Sequence, residues 1–300
     1  MKRFFILSMM LMVAVLMQAQ LLYKISGNGM KEPSYIIGTH HFTQASFVDS
    51  IPGVQQALDE TQQVYGELVM DDMMKPETLM RMAQAMMMPE GVTLSSLLTT
   101  DEATRLNAAM KELLGVDLNT PMVGAQLDRM MPTALSTQFT QSLYLKNHPA
   151  INGQDQFDSY FQNKAREQGK GVYGLETVDF QMEVLLTGQP LERQKELLMC
   201  MVDNLDFQLQ MLEELTNAFR RQDLEAVGKA LDVKLGNSCD STPEETAKLI
   251  ENRNANWIEQ MPAIMQSKPT LFAVGAAHLV GDKGVLHLLR NAGYSVVGVR

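Results

Sequence analysis

Four apolar runs in this chain end in the same way. Tyr35-Ile36-Ile37 leads into Gly38-Thr39-His40-His41, and Val64-Tyr65 leads into Gly66-Glu67. Val172-Tyr173 leads into Gly174-Leu175-Glu176, and Phe272-Ala273-Val274 leads into Gly275-Ala276-Ala277-His278. Each run reaches a glycine, and an imidazole or a carboxylate follows within three residues. Two imidazoles with one or two carboxylates form a ligand set for a catalytic divalent metal. Such an ion polarises a carbonyl and lowers the pKa of bound water, so that hydroxide becomes accessible near neutral pH. A carboxylate outside the ligand set can serve as general base. Neighbouring side chains of an extended backbone point to opposite faces, so His40 and His41 cannot both face the site. The Gly-x-x-His spacing, repeated at Gly275 and His278, selects His41. His148 beside Pro149 reads as a loop residue, and His287 as a residue of the last helix.

These groups meet only if the strands that carry them are neighbours. Ligands of open α/β sheets bind beyond the carboxyl ends of the strands, and glycine at such an end permits a sharp turn and a close approach. The pattern predicts strands at Leu21 to Ile25, Ser34 to Ile37, Gln63 to Leu68, Gly171 to Leu175, Leu271 to Val274 and Ser295 to Val299, the first two as a hairpin around Gly27-Asn28-Gly29. Ser50-Ile51-Pro52 reads as a helix start, with Ser50 as cap. Leu197, Met201, Leu205, Leu209, Leu212 and Leu215 recur at helical spacing, which predicts one long helix from Leu191 to Arg221. Strands separated by helices imply an α/β fold with a central, mostly parallel or mixed sheet flanked by helices. Large helical insertions fall around residues 75–168 and 186–266 of one elaborated domain spanning residues 20–300.

Composition narrows the partners. Lys2 and Arg3, an uncharged apolar run from Phe4 to Met17, and Ala19 have the layout of a secretory signal peptide over residues 1–19. Export to the periplasm or beyond the cell follows, with no transmembrane segment in the mature form. The formal charge is −10, and −12 once Lys2 and Arg3 are lost, with no basic run to meet nucleic acid or an anionic membrane. Cys200 and Cys239 either pair, as an exported protein permits, or leave Cys200 as a buried thiol on an apolar helix. Seven of the 24 methionines crowd residues 73–88. Methionine is an unbranched helix former and gap filler, so this cluster reads as packing before it reads as a ligand groove or a copper site.

The residues also carry a resemblance. Leu22 to Ile25, Gly38-Thr39-His40-His41 and Val64 to Leu68 resemble the opening of the TraB/GumN family. Gly174-Leu175-Glu176-Thr177 with Gln181, the Arg253-Asn254 pair with Trp257, and the tail from Val274 to Val296 resemble later segments of it. That family looks related to the Tiki metalloproteases, which hold manganese or cobalt with two Gly-x-x-His motifs and a glutamate. The resemblance implies His41, His278 and Glu67 as metal ligands, with zinc also chemically suited. It implies catalytic roles for Glu67, Glu176 and Arg253, and substrate contacts for Asn254 and His40. The expected function is an exported metal-dependent hydrolase, acting on a peptide or protein substrate. The alternatives are a non-catalytic envelope protein that binds a peptide, a pheromone or an iron-porphyrin in the same cleft, and an envelope scaffold with structural histidines.

Overall fold

A computed structural model of the chain describes residues 20–151 and 156–300. The signal-peptide reading of residues 1–19 lies outside the described residues. Six strands form one mixed sheet: β1 Leu22–Ser26, β2 Ser34–Thr39, β3 Gln63–Gly66, β4 Gly171–Gly174, β5 Thr270–Gly275 and β6 Ser295–Gly298, in the order β4-β3-β5-β2-β1-β6. The four strands β4, β3, β5 and β2 run parallel. β1 pairs antiparallel with β2 as the expected hairpin, and β6 pairs antiparallel with β1. All residues of β2 are buried, and β5 is buried along nearly its whole length. A run that is apolar on both faces belongs in the covered middle of a parallel sheet.

Helices fill the connections. α1 Val54–Glu60 joins β2 to β3. Between β3 and β4 lie α2 Met70–Met73, α3 Pro76–Ala85, α4 Leu94–Leu97, α5 Thr100–Leu114, α6 Val123–Leu127, α7 Pro132–Asn147 and α8 Phe157–Glu167. Between β4 and β5 lie α9 Val178–Met182, α10 Leu191–Asp203, α11 Leu205–Arg220, α12 Leu224–Leu231, α13 Pro243–Thr246 and α14 Asn252–Ser267. α15 Val285–Asn291 precedes the last strand. These two long connections are the helical insertions that the sequence predicts. Among the described residues no helix is long and apolar enough to cross a membrane.

Two local expectations are corrected. The stretch Leu191 to Arg221 is two helices rather than one, because Asn204 leaves the helical conformation and donates from Nδ2 to the Cys200 carbonyl at 2.8 Å. A short amide side chain that competes for a backbone carbonyl breaks a helix in this way. The helix near Ser50 begins later, at Val54, capped by Gly53 in the left-handed conformation, while Ser50 closes a preceding 3-10 turn through the Phe47 carbonyl.

Two apolar clusters hold the molecule. The first surrounds the sheet and includes Ile36, Ile37, Leu271, Phe272, Phe157, Phe161, Phe219 and Trp257. The second lies among α5, α7 and α10 and takes in Met88, Met110, Met130, Met131, Met199 and Met201. These six methionines are packing, each buried side chain contributing roughly 1.5–3 kcal/mol, but of the seven at residues 73–88 only Met88 is buried, and Met74, Met80 and Met87 are exposed. Cys200 and Cys239 form a disulfide across 39 residues. Closing a loop of that length stabilises the fold by about 3–4 kcal/mol in the chain-entropy account.

Candidate functional site

The register of the sheet sets the geometry. Thr39 is opposite Gly275, and Gly66 is opposite both Ala273 and Gly174. The carboxyl ends of β2, β5, β3 and β4 therefore form one continuous edge, and the four punctuating glycines lie along it. Gly66 and Gly174 leave no room for a side chain, and a Cβ on Gly174 would stand 2.9 Å from the Glu176 carbonyl oxygen. A Cβ on Gly66 would stand 2.5 Å from Gln162 Nε2 and 2.8 Å from the Leu68 carbonyl oxygen. A Cβ on Gly275 would stand 3.1 Å from Glu67 Oε1, the atom that already accepts from the Gly275 amide at 2.8 Å.

Arg253, on the first turn of α14, is the hub. Its side chain is 4% exposed. Nε and Nη2 grip the Glu176 carboxylate at 2.9 and 2.8 Å, and Nη2 also donates to Glu67 Oε2 at 2.7 Å. Nη1 donates to His278 Nε2 and to the Leu249 carbonyl, each at 3.1 Å. All five N–H groups of the guanidinium have acceptors. Glu176 is equally occupied, since Trp257 Nε1 and Gln181 Nε2 add two further donors at 2.8 and 3.0 Å. A carboxylate with four donors on it holds Arg253 in place.

His278 sits on the turn after β5 and packs against the Trp257 ring at 4.4 Å. Its Nδ1 lies 2.7 Å from Asn254 Oδ1, while Asn254 Nδ2 donates to the backbone carbonyls of His278 and Lys283. The amide oxygen can only accept, so Nδ1 carries the proton and Nε2 presents a lone pair. Burial, with the nearby Arg253 charge assisting, pushes the His278 pKa down to about 4, so the ring is neutral at pH 7. Asn254, expected to touch substrate, is fully buried and orients His278 instead. Burial opposes ionisation of Glu67, yet His278, Arg253 and the Gly275 amide outweigh it and hold this carboxyl below its ordinary value. At neutral pH His278 is uncharged, and the guanidinium and the amide carry that task.

His41 and His40, just past the end of β2, have different partners. His41 has an 80% exposed side chain whose Nδ1 lies 3.0 Å from Asp158 Oδ2, and Asp158 also accepts from Thr39 Oγ1. The Asp158 carboxylate raises the His41 pKa to about 9, and Glu67 adds to the effect. His40 turns the other way, stacks on Phe219 at 5.2 Å and contacts Thr43 Oγ1 at 3.2 Å. Its pKa falls to about 4, through burial first and the neighbouring His41 charge second. His148 caps the end of α7, where its ring packs against Tyr144 at 4.4 Å.

Asp158 and the anchoring role of Trp257 are the site features that residue spacing did not reveal. Asp158 stands in the first turn of α8, where a carboxylate ordinarily reads as complement to the helix dipole. Replacing it should show its job. In metal-free Asp158→Asn the His41 pKa should fall from about 9 toward its ordinary value of 6.5, as read by NMR titration of the ring protons. The sign follows from the raised value: the pair stabilises the fold fully below the unfolded pKa and loses that effect as pH rises through about 9. With His41 so exposed, water keeps that stabilisation small.

The residues test a divalent ion as follows. His278 Nε2 and Glu67 Oε1 are 3.8 Å apart, a gap that two donors on one ion with bonds of ~2.1 Å can span. Each motif histidine has its Nδ1 held by an oxygen, which is the outer-shell arrangement of metal-ligating imidazoles. Against this, Arg253 Nη1 caps the His278 lone pair. Among the described residues no group of three or more His, Cys, Asp or Glu side chains is gathered closely enough to hold an ion. His278 and Glu67 thus form a pair of donors, and His41 is not gathered with them into a group of three.

The model of the TraB/PrgY/gumN family matches residues 21–297, a span that takes in every residue of this cluster. No curated protein matches the chain, and no solved structure does.

Proposed function

Because the chain belongs to the TraB/PrgY/gumN family and brings two Gly-x-x-His turns to one sheet edge, we propose that it is a metal-dependent hydrolase with a peptide substrate. The observation that carries this reading is that both Gly-x-x-His imidazoles stand at one sheet edge with their Nδ1 atoms held by oxygens. His278 is fixed by Asn254, His41 is fixed by Asp158, and Glu67 stands beside His278. In this reading His41, His278 and Glu67 hold manganese, cobalt or zinc, which when bound polarises the scissile carbonyl and lowers the pKa of a coordinated water. Arg253 does two things here: it keeps Glu67 ionised, and through Oε2 it leaves Oε1 facing His278. Glu176 and Trp257 keep Arg253 from moving. Export is part of the proposal, and the Cys200–Cys239 disulfide suits an oxidising compartment.

One observation favours a second reading. Arg253 Nη1 occupies the lone pair of His278 that an ion needs, which suits a closed cleft that binds a peptide without turnover. An iron-porphyrin suits neither reading. The recess beside the histidines has a volume of about 180 Å³, below the range of pockets for ligands of that size.

Calorimetric titration with Mn²⁺, Co²⁺ and Zn²⁺ decides between these readings. The wild type should bind close to one equivalent. His41 titrates near 9, so binding at pH 7 should release a proton and strengthen as pH rises. The His41→Ala/His278→Ala double variant should bind none of the three ions. If the folded wild type binds as poorly as the double variant, the metal reading falls and the closed-cleft reading takes its place.

A further inference from the structure

Between the two Gly-x-x-His turns and α11 lies a recess of about 180 Å³ walled by Phe42, Leu212, Leu215, Phe219, Ala276 and Ala277. Phe219 and Ala276 are buried, but Leu212 and Leu215 are only partly covered. These two leucines stand one turn apart on α11, so both reach the same space. Val227 of α12, 1% exposed, closes the far side. His40 lies along one wall, stacked on Phe219 at 5.2 Å. Two half-covered leucines beside a polar catalytic edge are apolar surface that water meets at a cost.

We propose that this recess receives one apolar side chain, aliphatic or aromatic, from the residue next to the reacting amide of a peptide. The inference rests on the hydrolase reading for the word reacting, though not for the binding. His41 and the turn from Gly275 to Ala277 also line the recess. The Gly275 amide is the one bonded to Glu67 at 2.8 Å. A side chain seated here therefore places its own backbone at the sheet edge that carries His41, Glu67 and His278. The volume suits a single side chain and falls short of the space a whole drug-sized ligand takes. Substrates with Leu, Phe or Met at that position should be favoured over those with Ser or Asp. The exposed methionines near residues 74–87 take no part in this recess.

The test uses the peptides acetyl-Gly-X-Gly-amide with X as Leu, Phe, Ser or Asp, titrated into methyl-labelled protein and followed by NMR. The Leu and Phe peptides should shift the methyl signals of Leu212, Leu215 and Val227 saturably, and bind at least about tenfold more tightly than the Ser and Asp peptides, since even one methylene in an apolar pocket is worth about 10–200-fold. Leu215→Trp fills the recess and should remove that preference. Leu212→Ala enlarges it and should shift the preference from Leu toward Phe, which keeps the question answerable if the Trp variant fails to fold. Equal binding of all four peptides, or an unchanged preference in both variants, overturns the proposal. Peptide hydrolysis is measured in the same series. Selective binding without hydrolysis leaves the subsite standing and removes the hydrolase reading, whereas hydrolysis without side-chain preference does the reverse.

Discussion

Arg253→Met should lower the unfolding free energy at pH 7 by about 3–5 kcal/mol, the range for breaking a buried ion pair by deleting one partner. The side chain is 4% exposed, and its five N–H groups serve two carboxylates, one imidazole and one backbone carbonyl. Methionine fills much of the same space and offers no donor. Glu176 would retain Trp257 and Gln181, and Glu67 would retain Gln181 and the Gly275 amide. Neither set supplies a positive charge. The pH dependence gives a second readout. In the wild type the Glu67 carboxyl is depressed, so its contribution is present above the unfolded pKa and is lost as pH falls through the folded one. The variant lacks that contribution, so its deficit should be largest at neutral pH and should shrink below about pH 4, where glutamates protonate. Urea unfolding at pH 7 and pH 4, with chelator present, measures both. A deficit under 1 kcal/mol at both values would mean that water reaches the cluster and the pairs are only surface pairs.

The strand ends were legible in the sequence because apolar runs and glycine punctuation are local signals. Gly66 and Gly174 are small for reasons the fold makes plain: the Leu68 carbonyl crowds against the first and the Glu176 carbonyl against the second. That neighbouring rings would find different partners was also legible, and one contacts Asp158 while the other stacks on Phe219. The hydrogen bonds that assign roles were not legible. Asp158 is 117 residues from His41 and Arg253 is 77 from Glu176, and no local pattern joins such pairs. Burial was equally hidden. Asn254 looks like any polar residue beside an arginine, yet it is enclosed and faces His278. The break at Asn204 was missed because the apolar stripe continues through it at helical spacing, and only the side-chain bond to Cys200 shows the interruption.

The two Gly-x-x-His motifs look alike in sequence, and their alanine variants should nonetheless behave differently. His41→Ala should reduce peptide hydrolysis by more than about 100-fold, because outer-shell changes alone cost 10–100-fold at metal sites and this one removes a donor. It should change stability by less than about 1 kcal/mol, since the ring is 80% exposed and loses only a solvated pair with Asp158. His278→Ala should abolish hydrolysis too, and should also cost about 2–4 kcal/mol of stability. That ring is buried against Trp257, and its loss strips an acceptor from Arg253 and a donor from Asn254. Activity and urea unfolding measured on both variants therefore separate chemistry from folding. Wild-type turnover in His41→Ala would remove His41 from the site and leave it as a surface partner of Asp158. Loss of turnover in His278→Ala alone, together with loss of stability, would be explained by packing. Only the pairing of a large loss of activity with a small loss of stability, in the exposed histidine, identifies a residue that works on the substrate's side of the edge.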